Sequence, residues 1–200
     1  MFYTLLSFFA LYGARTAAAS ANATVDKINP DTVDSLDLNK YVGFWYQMAA
    51  DKIVMETFEK DSYCDTALYG FNEDGTVSVH NYATIGSPDG SLTYLIDGYA
   101  YSNNPDEPGQ LKVHFDADEA APFDAPYWVL ALGPENKDEL YDWAIVSDNL
   151  SAFLFVLARD VQTFNEQYKD EVYSLLEDLG FTGRTAPIDT YQGPDCAYEQ

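Results

Sequence analysis

The sequence predicts an all-β protein: an eight-stranded antiparallel up-and-down β-barrel with one C-terminal α-helix packed outside it. Three observations carry this expectation. Eight short runs of strand-forming residues recur at regular spacing over residues 45–158. The segments between them are short and carry turn residues, so each strand folds back on the one before. A single stretch of helical periodicity follows the last run. An open meander would leave two strand edges exposed, and closure into a barrel removes them. The turn order alone also fits a two-sheet sandwich.

Taken in order, residues 5–11 (LLSFFAL) form a short apolar run. Ala17-Ala18-Ala19 and Ala21-Asn22-Ala23 follow it in the A-x-A form at which export leaders are cut. Residues 1–23 are therefore expected to be a signal peptide, and residues 24–200 one barrel domain. The run is too short to span a bilayer, which takes about 20 residues. The expected strands are residues 45–53, 66–71, 76–83, 92–101, 111–115, 127–132, 141–147 and 152–158. Asn72-Glu73-Asp74-Gly75 closes the second strand, and its Asp-Gly pair reads as a hairpin turn with positive φ at both turn residues. Leu111, Val113 and Phe115 alternate with Lys112 and His114, the signature of a half-buried strand. In the helix, Phe164, Tyr168, Val172, Leu175, Leu176 and Leu179 make one apolar stripe. Thr163 and Glu166 have capping-box spacing, and Gly180 is the expected stop.

Charge and composition narrow the function. Acidic residues number 33 against 10 basic ones, a net charge of −23. Such a surface repels nucleic acid and anionic lipid and favours a monomer. No other segment is apolar enough to cross a membrane as a helix. The two cysteines, Cys64 and Cys196, suggest a disulfide in an exported chain. A free, reactive Cys64 is the other reading. Asn149-Leu150-Ser151 fits the glycosylation acceptor pattern. Enzyme chemistry finds little support. His80 and His114 alternate with inward apolar neighbours and are expected to face outward, and no Ser-His-Asp set assembles around them. Two His and two Cys at these spacings make no zinc signature. Asp116, Asp118, Glu119 and Asp124 crowd one loop without the ligand order or glycine of an EF-hand. No metal or cofactor is expected.

Several residues together resemble the lipocalin family. Gly43-Phe44-Trp45 matches its G-x-W signature, and Leu157-Ala158-Arg159 ends the eighth strand where the family places an Arg. Ala125-Pro126-Tyr127-Trp128-Val129-Leu130 is similar to the sixth strand of the branch that includes apolipoprotein D and the bacterial and plant lipocalins. The resemblance runs from about Leu38 to Cys196. It implies a Cys64–Cys196 bridge and an Arg159 side chain lying across Trp45 at a closed barrel end. The family's T-D-Y before the seventh strand is reduced here to Glu139-Leu140-Tyr141, after a longer loop at 133–139.

The resemblance also implies a ligand inside the barrel. With side chains two apart sharing a face, Phe153, Phe155 and Leu157 share the face of Arg159. Ile96, Gly98 and Ala100 share a face of the fourth strand, Ala67 and Tyr69 one of the second, and Val79 and Asn81 one of the third. These ten residues are the expected ligand contacts, an apolar cup with Tyr69 and Asn81 as polar handles. The expected function is carriage of one small hydrophobic molecule, such as a lipid, sterol, retinoid, carotenoid or tetrapyrrole, in a secreted or organelle-lumen protein. The alternative is a lipocalin-type enzyme acting on a hydrophobic substrate such as a xanthophyll. A third is a barrel whose loops, residues 133–139 among them, bind another protein.

Overall fold

A computed structural model describes residues 30–116 and 124–198. The expected signal peptide, Asp118 and Glu119 lie outside the described residues. The elements are α1 (Leu38–Tyr41), β1 (Gly43–Asp51), α2 (Lys52–Glu56), β2 (Ser62–Phe71), β3 (Val77–Ile85), β4 (Thr93–Tyr101), β5 (Gln110–Phe115), β6 (Ala125–Leu132), β7 (Trp143–Ser147) and β8 (Leu154–Ala158). A helix over 161–178, here α3, and a short β9 (Pro187–Asp189) complete the chain. Each of β2 to β7 pairs antiparallel with the next, and β1 pairs with both β8 and β2, which closes the barrel.

Closure depends on a division of labour along β1. Its first half, Gly43 to Tyr46, pairs with β2, and its second half, Tyr46 to Ala50, pairs with β8. Beyond Tyr46 the two strands part, because β2 bulges between Tyr63 and Thr66, where Cys64 takes a φ of 59°. The C-terminal tail fills the split. β9 pairs with β1, Thr190 N donates to Met48 O at 3.0 Å, and Cys64 N donates to Tyr191 O at 3.0 Å. Gln192 Nε2 bridges Gln47 O and Asp65 O at 2.9 and 2.8 Å. Cys64 and Cys196 form a disulfide, with Cα atoms 5.6 Å apart, that clamps this tail. The free-thiol reading of Cys64 is thereby overturned.

The alternation on β8 splits the apolar residues into two cores. Phe155 and Leu157 face the interior with Trp45, Tyr69, Val79, Val113 and Val146. Leu154, Val156 and Ala158 face outward with Met48, Trp143 and Ile145, and are covered by Phe164, Val172, Leu176 and Phe181. The helix therefore shields one side of the barrel wall, as the sequence predicts.

Several local expectations change. The first strand stops at Asp51, not at residue 53, because Asp51 caps α2: its Oδ1 accepts from Ile53 N and Val54 N. The Thr163–Glu166 capping box does not form. Thr163 is already helical, and the cap is Asp160, whose carboxylate accepts from Thr163 N at 2.7 Å, while Glu166 receives Gln162 Nε2. A π-helical turn over Phe164–Tyr168 then shifts the stripe, leaving Phe164, Val172 and Leu176 buried and Tyr168, Leu175 and Leu179 half-buried. Gly180, at φ 90°, ends the helix. Gly180 N bonds Glu177 O and Phe181 N bonds Leu176 O, a Schellman closure sealed by the buried Phe181–Leu176 pair. At the Asp74-Gly75 turn only Gly75 has positive φ. Gly75 N donates to Asn72 O and Asn72 N to Thr76 O, so the turn is a longer loop with one left-handed residue rather than a two-residue hairpin.

Candidate functional site

The two barrel ends differ. At the end where β1 begins, α1 and residues 33–36 lie across the opening, and Val33, Leu36 and Leu38 pack on the interior cluster. Arg159 locks this arrangement. Its guanidinium carbon lies 3.6 Å from the centroid of the Trp45 ring. Its N–H groups donate to the carbonyls of Lys40, Tyr41, Val42, Phe44 and Tyr141 at 2.7–3.3 Å. Three of those carbonyls belong to the last turn and cap of α1, where a cation offsets exposed C=O groups. Gly43 has φ 103°, and a Cβ there would sit 3.1 Å from Arg159 Nη1, so glycine is required on both counts. Burial pulls the Arg159 guanidinium down to about 10, which leaves it charged at neutral pH. Tyr141, the residue kept from the altered T-D-Y, ties the strap down: its hydroxyl accepts from Asp37 N and its backbone N donates to Lys40 O.

Above this floor lies an interior cavity of about 50 Å³. Val77, Val79, Ala100, Leu111, Val113 and Phe115 make its apolar walls, and Leu38 helps to close it below. Its polar groups are Tyr41, Tyr69, Tyr127 and Asn81. The three phenols meet: Tyr127 Oη lies 2.7 Å from Tyr41 Oη and 3.2 Å from Tyr69 Oη. Burial raises all three hydroxyls, Tyr69 to about 12, so the cavity resists negative charge. Asn81 Oδ1 is buried with no hydrogen-bond partner among the described residues. Such an atom costs about 1–3 kcal/mol unless a ligand or water supplies a donor.

Of the ten expected ligand contacts, Tyr69, Val79, Asn81 and Ala100 wall this cavity. Ala67, Phe155 and Leu157 lie in the surrounding interior cluster. Ile96 and Gly98 occupy the same β4 face, opposite Asn81 and Val79, but outside the cavity wall. Phe153 stacks edge-on against Phe58 at the other end of the barrel. Sequence reasoning missed Tyr41 and Tyr127 as site residues. Tyr127 shares the inward face of β6 with Val129, a period-two signal that was available. Tyr41 lies on a single helical turn, where no periodicity exists to read.

Other candidate chemistry falls elsewhere. His80 and His114 pair with Asp97 and Asp124 on the outer wall, as their alternation predicts. Asp124, from the acidic loop, is held by Tyr101 Oη at 2.5 Å and His114 Nδ1 at 2.8 Å. With both cysteines bonded, a thiol route to catalysis is closed.

A barrel of eight antiparallel strands, covered at one end by a helical strap under an Arg–Trp lock and hollow above it, defines the class of single-ended β-calyces. A family model for the lipocalin-like domain matches residues 36–186. The chain belongs to the lipocalin family. It is 32% identical to apolipoprotein D of Mus musculus over 185 residues, covering 88% of this chain and 87% of that protein. It is 29% identical to temperature-induced lipocalin-1 of Arabidopsis thaliana over 173 residues, covering 82% and 87%. Among solved structures, insecticyanin from the tobacco hornworm Manduca sexta superposes with a TM-score of 0.64 at 17% identity, covering 86% of this chain and 89% of that one.

Proposed function

We propose that this protein carries one small, mainly apolar molecule inside its barrel, in an extracellular or organelle-lumen setting. The observation that supports the reading is the hollow interior with its few placed polar groups, the usual make-up of a ligand site. At about 50 Å³ the cavity admits one end of a lipid, sterol, retinoid, carotenoid or tetrapyrrole. The body of such a ligand would lie higher, along the β4 and β8 faces that carry Ile96, Phe153 and Phe155, all incompletely buried. The disulfide supports an oxidising compartment, in keeping with removal of residues 1–23 and glycosylation at Asn149, which lies in the β7–β8 connection. Among the described residues no helix is long and apolar enough to cross a membrane.

The test is a solvent extract of the natively expressed protein, read by mass spectrometry and absorbance, followed by tryptophan quenching with a ligand panel. One lipid or pigment near one equivalent, or saturable quenching of tryptophan fluorescence, is the expected result. An empty extract and no quenching across fatty acids, sterols, retinoids and carotenoids overturns the reading.

A further inference from the structure

We propose that the deep cavity receives the hydroxyl end of a neutral ligand, because one surplus phenolic proton and one unpartnered amide oxygen face the same small space. The inference rests on the carrier reading and names the chemical class of what is carried: an apolar body ending in an alcohol.

The donor count comes from three tyrosines. Tyr41, Tyr69 and Tyr127 bring three hydroxyl protons. They make two hydrogen bonds with each other, both through Tyr127 Oη. Whichever way those bonds run, each uses one proton and one proton is left over. None of the described residues accepts it. The acceptor comes from Asn81, whose Oδ1 is buried and unpartnered on the same wall. The cavity therefore asks for one donor at Asn81 Oδ1 and offers the spare phenolic proton to an acceptor. An alcohol oxygen accepts one hydrogen bond and donates one, and it satisfies both groups at once.

Other head groups match less well. An ether accepts but leaves Asn81 Oδ1 bare. A carboxylate also donates nothing, and it brings a charge into a cavity whose phenols are themselves held neutral by burial. Arg159 gives it little relief: four of its five N–H groups are engaged by the backbone carbonyls below, and at Tyr41 and Tyr69 burial outweighs its charge. An ammonium would satisfy Asn81, but it would leave the phenolic proton unmet and would approach the Arg159 charge. Water matches the pattern as well as an alcohol does, so the empty protein is expected to hold one there. A ligand hydroxyl reproduces the bonds of the water it displaces, whereas an ether or carboxylate does not.

The experiment compares decan-1-ol, 1-methoxydecane and decanoate on the unmodified full chain by isothermal titration. The expected result is at least tenfold tighter binding of the alcohol than of either analogue. In Asn81→Leu the alcohol preference is expected to shrink below threefold, because the ether no longer leaves an amide oxygen bare and the alcohol loses the acceptor of its own proton. Equal affinities, or tightest binding of decanoate, overturn the inference and leave the carrier reading standing. A preference that survives in folded Asn81→Leu also overturns it. Binding of none of the three overturns this inference, and the carrier reading is then decided by the extract and the ligand panel. Should Asn81→Leu fail to fold, the three-ligand comparison on the unmodified chain decides alone.

Discussion

Replacing Arg159 by Met is expected to cost about 3 kcal/mol of stability, and replacing it by Lys nearly as much. Met keeps a long apolar stem against Trp45 and removes the guanidinium. Five carbonyls, from Lys40, Tyr41, Val42, Phe44 and Tyr141, then lose the guanidinium, although Lys40 O keeps Tyr141 N and Tyr41 O keeps Trp45 Nε1. Four N–H groups serve those five oxygens, since Nη2 is shared among three of them. At about 1.5 kcal/mol for each charge-assisted bond the ceiling is about 6 kcal/mol. Arg159 is only partly buried, so water re-solvates part of the set, and about half of that ceiling is expected. The cation–π contact contributes about 0.5–2 kcal/mol within the same total. For a chain of this length a 3 kcal/mol loss lowers Tm by roughly 6–12 °C. Urea denaturation of the parent, Arg159→Met and Arg159→Lys measures the effect. Lys offers three donors from one point and does not span five carbonyls. A loss below about 1 kcal/mol, or full recovery in Arg159→Lys, refutes the idea that this one fork closes the barrel end.

Three further perturbations probe the opposite half of β1. Cys64→Ser with Cys196→Ser frees a loop of 132 residues. The expected loss is roughly 2–5 kcal/mol by urea denaturation, with earlier proteolysis of residues 187–198. An unchanged midpoint contradicts the clamp. Asp51→Ala removes the α2 cap and the acceptor of Leu154 N, held at 2.6 Å across the barrel wall. Equilibrium unfolding is expected to show a loss of about 3 kcal/mol, with Asp51→Asn recovering only the cap; equal stability of the three proteins argues against the double anchor. Burial, with the neighbouring Asp65 and Asp51 charges, pushes Glu59 up to about 8, and burial pushes Asp65 up to about 6. The folded chain thus holds protons that the unfolded chain releases near pH 4. The stability tied to these groups is full below that value and falls as pH rises through 8. Glu59→Gln keeps an acceptor for Gln47 and cannot ionise. It is expected to match the parent at pH 5 and to exceed it at pH 9 by on the order of 1–2 kcal/mol. A constant difference between the two proteins across that range counts against this account.

What could be read in advance follows from where the information lies. Strand faces were legible because period-two alternation is local: Phe155 and Leu157 point in and Val156 points out for a reason visible in three residues. Gly180 was legible because few other residues tolerate its φ of 90°. The start of the helix was not, since Asp160 and Thr163 both have capping chemistry and the choice depends on how the chain leaves β8. β9 was invisible because Pro187–Asp189 has no strand pattern of its own; it forms where the parting of β1 and β2 leaves an edge to cover. The site was half legible for the same reason. Tyr69 and Asn81 follow from alternation, whereas the meeting of Tyr41 with Tyr127 depends on a one-turn helix folding across the barrel end.

The uneven distribution of the ladder makes a last prediction about motion. β7 and β8 are paired along their whole length and buried beneath α3. On β4, Gly98 to Ala100 pair with both β3 and β5, but residues 93–97 are paired in a strand ladder on the β3 side alone among the described residues. Asp97 O still accepts from Asp116 N at 2.9 Å, so the loss of pairing is graded along the strand. Tyr94 and Leu95 are 51% and 46% exposed, and little apolar burial opposes their separation from the wall. Local opening requires only the contacts of the opening segment to be lost, so its free energy falls where those contacts are few. Amides of residues 93–97 are therefore expected to exchange at least a hundredfold faster than those of 143–147 and 154–158. Tyr94 and Ile96 share the inward face that leads down to Asn81, so a ligand reaching the cavity would bury them and slow that exchange. Native-state hydrogen exchange measures both quantities. Uniform protection around the barrel, or slow exchange at 93–97 with no ligand present, removes this half of β4 as the barrel's yielding side.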